Sequence, residues 1–467
     1  MMDFMGTAPP RRIDDDRDVM SMLADWPRVE PVAMLSSARR DSDWSRWSLL
    51  CSPKGHLRVD TASQRVHWSG PTRPPIDLPA SSDDPLGLIQ SLLDHTASSA
   101  GPELPFDRGW LAALSYELGT NIEPTARHRS RTGTWPMFDL LWCPAGLAFD
   151  HEHDRWWSFG NAEAPARAST RPSDGVRCSP PRSVPGEPEY IDHIQQVRDY
   201  IHEGDVFQAN LARRLHASIE GDLRSMTLNA LDTAGPMYGL YMELPDGNGD
   251  DRAILSLSPE LYLQVDGVDD GRRVVTRPIK GTSAADRDPS ELESSSKDAA
   301  ELHMIVDLMR NDLGRVCEVG TVGVRHGRRI ESHPTVHHGV GEVEGMLRPE
   351  TTMADLLRAT FPPGSVTGAP KIRAMQIIDE LEPEPRGPYC GGLGWLTART
   401  ARLSVGIRTM AMTGRFTRGF RQFEGEVVYG TGGGIVSDSR PREEFEETCH
   451  KAAVFEAALG LSEPTSG

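Results

Sequence analysis

The chain has 467 residues and a formal net charge of -18 at pH 7. This length suffices for two ordinary domains or one large composite domain with a sizeable core. The acidic balance disfavours nucleic acids and anionic membranes as partners, because both are normally bound through a basic face. Residues 1–16 lack the apolar stretch of a signal peptide, and no apolar run is long enough to span a bilayer. We therefore expect a cytoplasmic protein with no membrane partner.

One stretch divides the chain. Residues 161–187 are rich in Pro, Ser, Ala and Arg without an apolar period, which predicts a linker or an extended surface crossing. Before it, in 1–160, short β-type runs alternate with a helical segment at 84–98. After it, in 188–460, strand-like runs alternate with helices at about 189–204, 291–313, 370–381 and 441–459. This mixture predicts an α+β fold with large sheets covered by helices.

Six cysteines are scattered through the chain without a CxxC or zinc-type spacing. Such a distribution in a long chain favours reduced thiols with mostly structural roles.

Residues 276–282 read TRPIKGT, which places Lys280 between a β-type run and a Gly-Thr turn. Lysine is disfavoured in strand interiors and is seldom buried without a partner. The local pattern alone therefore favours a solvated strand end.

A triple-glycine turn precedes the last predicted helix, in YGTGGGIVSDSRPREEFEETCHK. Glycines let backbone amides approach an anion closely, and the start of the helix, with Ser439 as its predicted cap, supplies further donors. On this helix Glu444, Glu447 and Lys451 lie on one face. Considered alone, this helix is better explained as a solvated charged face.

A second helix, KDAAELHMIVDLMRNDLGRV, carries Glu301 just before its apolar stripe. Magnesium prefers hard oxygen ligands, and two or three carboxylates with a substrate carboxylate would complete a site. Three glutamates need a cation if they are to share one small space.

A third segment, FPPGSVTGAPKIRAMQIIDELEP, contains a loop that enters a helix. Ser365 and Thr367 in this loop are hydroxyl donors for an acidic ligand or, equally well, helix caps. Tyr389 and Arg408 lie at the ends of β-type runs. An arginine in an apolar strand usually has a carboxylate partner.

Together, SPELYL, RPIKGT, HMIVDLMRNDLGRV, VHHGVGEVEG, FPPGSVTGAPKIRAMQIIDELEP, IRTM and GGGIVSDSRPREEFEET resemble the signature blocks of the chorismate-utilising enzymes. This family includes anthranilate synthase, aminodeoxychorismate synthase component I, isochorismate synthase and salicylate synthase. The resemblance is most specific over 188–460. It implies two large packed antiparallel sheets flanked by helices, with the anthranilate-synthase-component-I-like region 1–160 packed on the chorismate-binding domain.

Two positions distinguish the branches of the family. With lysine at position 280, the chain resembles the aminodeoxychorismate synthases, whereas anthranilate-type members generally carry alanine there. Salicylate and isochorismate synthases carry a water-activating lysine at the position that matches Gln208. The side-chain amide of Gln208 cannot take a proton from water. The resemblance therefore implies amination of chorismate at C4. One departure is Ala285, where relatives often carry arginine.

The resemblance also implies a site. Lys280 would add to chorismate, Glu260 would donate a proton, and His338 matches the family's active-site histidine, whereas His337 is expected to be a packing residue. Lys280 needs a lowered pKa from burial and from cations such as Lys371 and Lys451, and Glu260 needs a raised one. Mg2+ would be held by Glu301, Glu444 and Glu447. The implied substrate-binding residues are Ser365, Thr367, Tyr389, Arg408, Gly432, Gly434 and Lys451.

No cysteine lies in a Gly-x-Cys-x-Gly elbow, so ammonia should come from a separate glutamine amidotransferase subunit in a heterodimer. The implied product is 4-amino-4-deoxychorismate, a precursor of 4-aminobenzoate and folate. Two alternatives stay open, namely anthranilate synthase component I or another chorismate aminator, and an inactive regulatory or binding protein. The complete glutamate set weighs against the last.

Overall fold

The computed structural model describes residues 9–461 apart from 38–44, 97–103, 105, 127–134, 168–174, 248, 269–270 and 334–335. The described helices are α1 (Val19–Ala24), α2 (Pro85–His95), α3 (Leu118–Ile122), α4 (Glu187–His202), α5 (Leu223–Ala234), α6 (Pro289–Ser294), α7 (Ser296–Gly314), α8 (Met353–Thr360), α9 (Lys371–Leu381) and α10 (Pro441–Ala458). The strands of the first half are β1 (Arg11–Ile13), β2 (Ala33–Ser36), β3 (Trp47–Cys51), β4 (Gly55–Val59), β5 (Val66–Ser69), β6 (Gly109–Leu114), β7 (Phe138–Cys143), β8 (Gly146–Asp150), β9 (Arg155–Phe159), β10 (Val176–Cys178), β11 (Arg182–Val184) and β12 (Gln208–Gly221). Those of the second half are β13 (Tyr238–Leu244), β14 (Asp251–Ser258), β15 (Leu261–Val268), β16 (Gly271–Arg277), β17 (Ile279–Ala284), β18 (Gly323–Ser332), β19 (Val336–Met346), β20 (Gly368–Ala369), β21 (Gly392–Leu396), β22 (Ala401–Val405), β23 (Thr409–Thr417) and β24 (Gln422–Ile435).

These strands form two large antiparallel sheets, as predicted. The first has 13 strands in the order β1-β9-β8-β3-β2-β13-β14-β23-β24-β12-β10, with β11 and β20 also paired to β12. The second has 11 strands in the order β17-β19-β16-β15-β22-β21-β6-β7-β4-β5, with β18 paired to β19. Apolar side chains of both sheets share one core, in which Leu240 and Ile254 of the first sheet meet Leu111 and Trp395 of the second.

The N-terminal region does not form sheets of its own. Strand β2 pairs with β13, and β6 pairs with β21, so residues 1–160 supply strands to both sheets of the 188–460 region. The predicted linker includes β10 and β11, which pair with β12 along the sheet edge. The chain is thus one composite structure whose two sequence regions share their hydrogen-bonded ladders.

Several helix boundaries follow from local chemistry. Helix α4 ends at His202, and Gly204 beyond it has a φ of 88°, as its glycine predicted. The predicted helix 291–313 is two helices, because Ser295 interrupts it and caps α7 by accepting from Asp298 N at 3.3 Å. The prediction that Ser439 caps the last helix is wrong. Arg440 is the N-cap of α10, and the Ser439 hydroxyl donates to Glu444 instead.

All six cysteines are free thiols, and Cys51, Cys143, Cys317 and Cys390 are buried. In the described part of the chain, no helix is both long and apolar enough to cross a membrane.

Candidate active site

Lys280 is the second residue of β17 and lies on a β-bulge. Ile279 pairs with Val340, and Thr282 pairs with His338, so β17 uses one more residue than β19 over the same span. Gly281 accommodates the extra residue with a φ of 80°. A bulge re-aims the side chains beside it, and here the Lys280 side chain is only 11% exposed. The solvated interpretation of this lysine is therefore wrong.

The surroundings of Lys280 favour its neutral form. Burial lowers the pKa of Lys280, and the Lys451 ammonium lowers it further. Three carboxylates act in the opposite direction, from Glu301, Glu260 and Glu447. Glu301 has its Oε2 atom 4.0 Å from the Lys280 Nζ atom. The direction predicted for this pKa is confirmed.

Lys371, which was predicted to lie near Lys280, forms its ion pair with Asp312. The Lys371 ammonium donates to Asp312 at 2.6 Å and to the Thr360 carbonyl at 2.9 Å. Its positive charge is therefore balanced by Asp312, and Lys451 alone of the two predicted lysines lowers the pKa of Lys280.

Glu260 has the complementary shift. Burial raises its pKa to about 7, although the Ser365 hydroxyl, the Lys280 charge and the Ile279 amide act against this. The Glu260 Oε1 and Ser365 Oγ atoms are buried, and neither has a partner at hydrogen-bonding geometry. A carboxyl group with this pKa can hold a proton near neutral pH and give it to a bound molecule. The direction predicted for Glu260 is confirmed.

Gly434 brings the backbone of β24 against two functional side chains. A Cβ atom at this position would lie 2.0 Å from Gln208 Nε2 and 2.8 Å from Lys280 Nζ. Gln208 is buried, and neither atom of its side-chain amide has a hydrogen-bond partner. The sequence identified Gln208 only as the place of a missing lysine, whereas the structure places its amide beside the Lys280 amine.

The amides of Gly432 and Gly434 point away from the neighbouring strand β12. Their partners there are Ala212 and Asn210, whose N–H groups donate instead to Glu382 at 2.9 Å and to the Thr367 carbonyl at 2.7 Å. In an antiparallel ladder such residues form non-hydrogen-bonded pairs, so the backbone groups of both glycines face the other side. On that side β23 extends only as far as the Met410–Tyr429 pair. Within the described residues, this leaves no strand to satisfy the two amides.

Arg408 is a cation without a counter-ion. Among the described residues, its guanidinium group has neither a hydrogen bond nor an ion pair, and burial lowers its pKa. The backbone at Arg408 has a φ of 51°, and Cys390, next to Tyr389, has a φ of 63°. Left-handed backbone at residues other than glycine is uncommon and often occurs at functional sites. The carboxylate partner expected for an arginine here is left for a ligand to supply.

Tyr389 packs between an arginine and a glycine. The Arg214 guanidinium lies 5.1 Å from the centre of its ring, and a Cβ atom at Gly430 would clash with the ring at 2.4 Å. Tyr389 therefore lies directly against β24, the strand that carries the open glycine amides.

Each of the three predicted metal ligands faces a lysine. The pairs are Glu301 with Lys280 at 4.0 Å, Glu444 with Lys297 at 3.6 Å, and Glu447 with Lys451 at 2.7 Å. The carboxylate oxygens of the three glutamates do not all lie within 4.8 Å of one another in this arrangement. Carboxylate oxygens are nevertheless suitable ligands for a divalent cation, and the three carboxylates, from two helices, are close enough together that all of them raise the pKa of Lys297. Sequence reasoning missed Lys297.

The remaining predicted residues differ in how free their polar groups are. The Thr367 hydroxyl donates to backbone carbonyls of its own turn, at 3.2 Å to Gly364, whereas Pro370 is the N-cap of α9, so Thr367 does not cap that helix. Ser365, by contrast, keeps its hydroxyl unpaired beside Glu260. His338 lies on β19 opposite the bulge, and a 2.9 Å hydrogen bond joins its Nδ1 atom to the Thr282 hydroxyl. His337 bonds to Ser332 at 2.8 Å, which fits the packing role predicted for it.

Comparison with known proteins agrees with this arrangement. The family described as chorismate binding enzyme matches residues 42–457. The chain is 35% identical over 387 residues to aminodeoxychorismate synthase component 1 of Escherichia coli K12, covering 79% of this chain and 81% of the relative. It is 37% identical over 390 residues to the protein of the same name from Klebsiella aerogenes, covering 79% and 82%. Anthranilate synthase component I from Streptococcus pneumoniae TIGR4 has a similar structure, with a TM-score of 0.71 and 28% identity over 90% of this chain and 93% of that one. From these matches and from the shared site, the chain belongs to the chorismate binding enzyme family.

Proposed function

We propose that this protein replaces the C4 hydroxyl of chorismate with an amino group and so forms 4-amino-4-deoxychorismate. The observation that carries the proposal is the Lys280 amine, buried on a bulge with a lowered pKa beside the proton-holding Glu260. The relatives from E. coli and K. aerogenes named aminodeoxychorismate synthase component 1 support the same activity.

The reaction uses a nucleophile and an acid. The neutral Lys280 amine adds at C2 of the ring, the double bonds shift, and the C4 hydroxyl leaves as water with the proton from Glu260. Ammonia then attacks C4, the double bonds shift back, and the bond between Lys280 and C2 breaks. Burial raises the pKa of Glu260 and lowers that of Lys280, which reduces the free-energy cost of the state in which Glu260 carries a proton and Lys280 lacks one.

Substrate carboxylates have two cationic or donor-rich places to bind. The unpaired Arg408 guanidinium and the open amides of Gly432 and Gly434 would hold the side-chain carboxylate, with Tyr389 against the same strand. Glu301, Glu444 and Glu447 would hold Mg2+, which supplies positive charge for the ring carboxylate when bound. Ser365, with its free hydroxyl near Glu260, is placed to help orient the leaving group.

Ammonia would come from a separate glutamine amidotransferase subunit in a cytoplasmic heterodimer. Supporting this, the relatives' names include "component 1", and the sequence contains no Gly-x-Cys-x-Gly elbow.

The closest alternative is amination at C2 with loss of pyruvate, the reaction of an anthranilate synthase. The similar structure from S. pneumoniae carries that name. Lys280 separates them, because a nucleophile that occupies C2 directs ammonia to C4. The pKa shifts of Lys280 and Glu260 disfavour an inactive binding protein, because they lower the stability of the folded state and are typical of catalytic groups.

Purified protein should be given chorismate, Mg2+ and either ammonium or glutamine, with products identified by mass and by fluorescence. We expect 4-amino-4-deoxychorismate with ammonium, none with glutamine alone, and loss of at least about 100-fold in rate for Lys280→Ala. The matched control is Lys54→Met, which alters a half-buried lysine paired with Glu30 at 2.9 Å and should leave the rate unchanged. Fluorescent anthranilate with pyruvate from the wild type would favour the alternative, and full activity of Lys280→Ala would refute the role of the lysine.

A further inference from the structure

Lys297 lies within the glutamate cluster but has no place in the reaction described above. It belongs to the first turn of α7, four residues before Glu301, so both side chains lie on one face of the helix. Its Nζ atom is 3.6 Å from Glu444 Oε1, across the gap between α7 and α10. Although partial burial works against its charged form, Glu444, Glu301 and Glu447 together raise the pKa of Lys297. All three proposed metal ligands thus act on this single ammonium ion.

Of the three lysines in the cluster, Lys297 is the one able to leave. Lys280 is enclosed, and Lys451 is anchored by the Gly432 carbonyl at 2.9 Å as well as by Glu447. Lys297 is 52% exposed, and its side chain has no other hydrogen bond or ion pair among the described residues. Moving it into solvent therefore breaks one long ion pair with Glu444, and solvent compensates the charge.

We infer that Lys297 is a tethered cation that occupies the carboxylate cluster when no divalent metal is bound, competes with the metal for Glu444, and so sets the metal affinity of the site. The inference rests on the metal site of the proposed function. Lys297 is a positioning residue in this account: it holds Glu301 and Glu444 near each other across two helices without itself binding the metal. Its departure on metal binding is a direct exchange of one cation for another.

The experiment measures binding of Mg2+ and Mn2+ alone by calorimetry, without chorismate. Removing a unit positive charge beside a divalent cation should tighten binding of both metals by about three- to ten-fold in Lys297→Met, since opposing charges at these separations are only partly screened. Lys297→Arg keeps the charge and should bind within about two-fold of wild type. Lys54→Met alters a half-buried lysine on the turn between β3 and β4 that pairs with Glu30, and it should match wild type.

Thermal unfolding supplies a second measurement that does not depend on calorimetry. Metal-free Lys297→Met should melt below wild type, because its carboxylates lose a counter-ion, and it should gain more than wild type from added Mg2+. A residue needed only for folding would lower the melting temperature equally with and without the metal.

The outcomes separate this inference from the proposed function. Equal or weaker metal binding by Lys297→Met, while wild type binds and Glu447→Gln does not, overturns the role of Lys297 and leaves the metal site standing. Absence of binding by the wild type, or binding unaffected by Glu447→Gln, overturns both. Tighter metal binding by Lys297→Met, together with binding near the wild-type level by Lys297→Arg, supports the inference.

Discussion

Gly434→Ala tests the geometry of the proposed reaction with a single methyl group. That methyl would lie 2.0 Å from Gln208 Nε2 and 2.8 Å from Lys280 Nζ, whereas ordinary contact begins at 3.4 Å. The Gln208 amide must therefore move by about 1.4 Å and the Lys280 amine by about 0.6 Å, taken as the differences between these distances. Displacements of about 1 Å in a reacting group can cost about 100-fold in rate.

The effect on stability should be small by comparison. Both displaced atoms are ends of side chains, so we expect the cost of overpacking to lie near the lower end of its range, about 1 kcal/mol. The assay is the steady-state rate of ammonium-dependent chorismate turnover, measured beside the melting temperature. Gly434→Ala should lose about 100-fold in kcat while remaining folded.

The neighbouring glycine offers a matched control. A Cβ atom at Gly433 would meet its nearest atoms, Glu444 Oε2 and Lys451 Nζ, at 3.4 and 3.9 Å, both within ordinary contact. Gly433→Ala should therefore keep its rate within about three-fold of wild type. If Gly434→Ala also kept wild-type kcat, the chemistry could not take place where Gln208 and Lys280 meet β24.

Two further predictions concern buried charges. Because burial raises the pKa of Glu260 to about 7, kcat/KM corrected for free ammonia should fall as pH rises through about 7. The raised pKa also destabilises the folded state above pH 4.5, and this cost grows up to about pH 7 because the buried carboxyl must lose its proton. Glu260→Gln should therefore raise the free energy of unfolding by up to about 3 kcal/mol at pH 8 and by little at pH 4.5. The same variant should lose activity. A flat pH profile, or no stability gain in urea titrations at pH 8, would contradict this assignment. Arg386→Met should cost about 3 to 5 kcal/mol in urea unfolding, because it removes the 2.5 Å cationic partner of the fully buried Glu382 and leaves the Arg214 guanidinium at 3.2 Å and the Ala212 amide at 2.9 Å; a change below about 1 kcal/mol would mean that these two partners suffice.

The fold class and the candidate site residues could be predicted from the sequence. Alternating β-type runs and helices predicted large sheets covered by helices, and the blocks around Lys280, Glu301 and Glu444 carried the family resemblance that implied two packed antiparallel sheets. These signals are local: a strand's alternation, a helix's apolar stripe and a motif's spacing are all visible within about 20 residues. Helix ends were predictable for the same reason where a glycine such as Gly204 follows, and less so at Ser439, whose hydroxyl found a better partner in Glu444.

The tertiary structure decided which charges meet. Residues 1–160 contribute strands to both sheets, a pairing between segments more than 200 residues apart that no local pattern encodes. The bulge at Gly281 turned Lys280 from a solvated strand end into an enclosed amine. Lys371, predicted to lie near Lys280, pairs with Asp312 instead, whereas Lys297, which the sequence did not single out, lies among the glutamates. Charges interact over a few ångströms, and distance in space, which depends on how distant strands and helices pack, decides which of them shift each other's pKa.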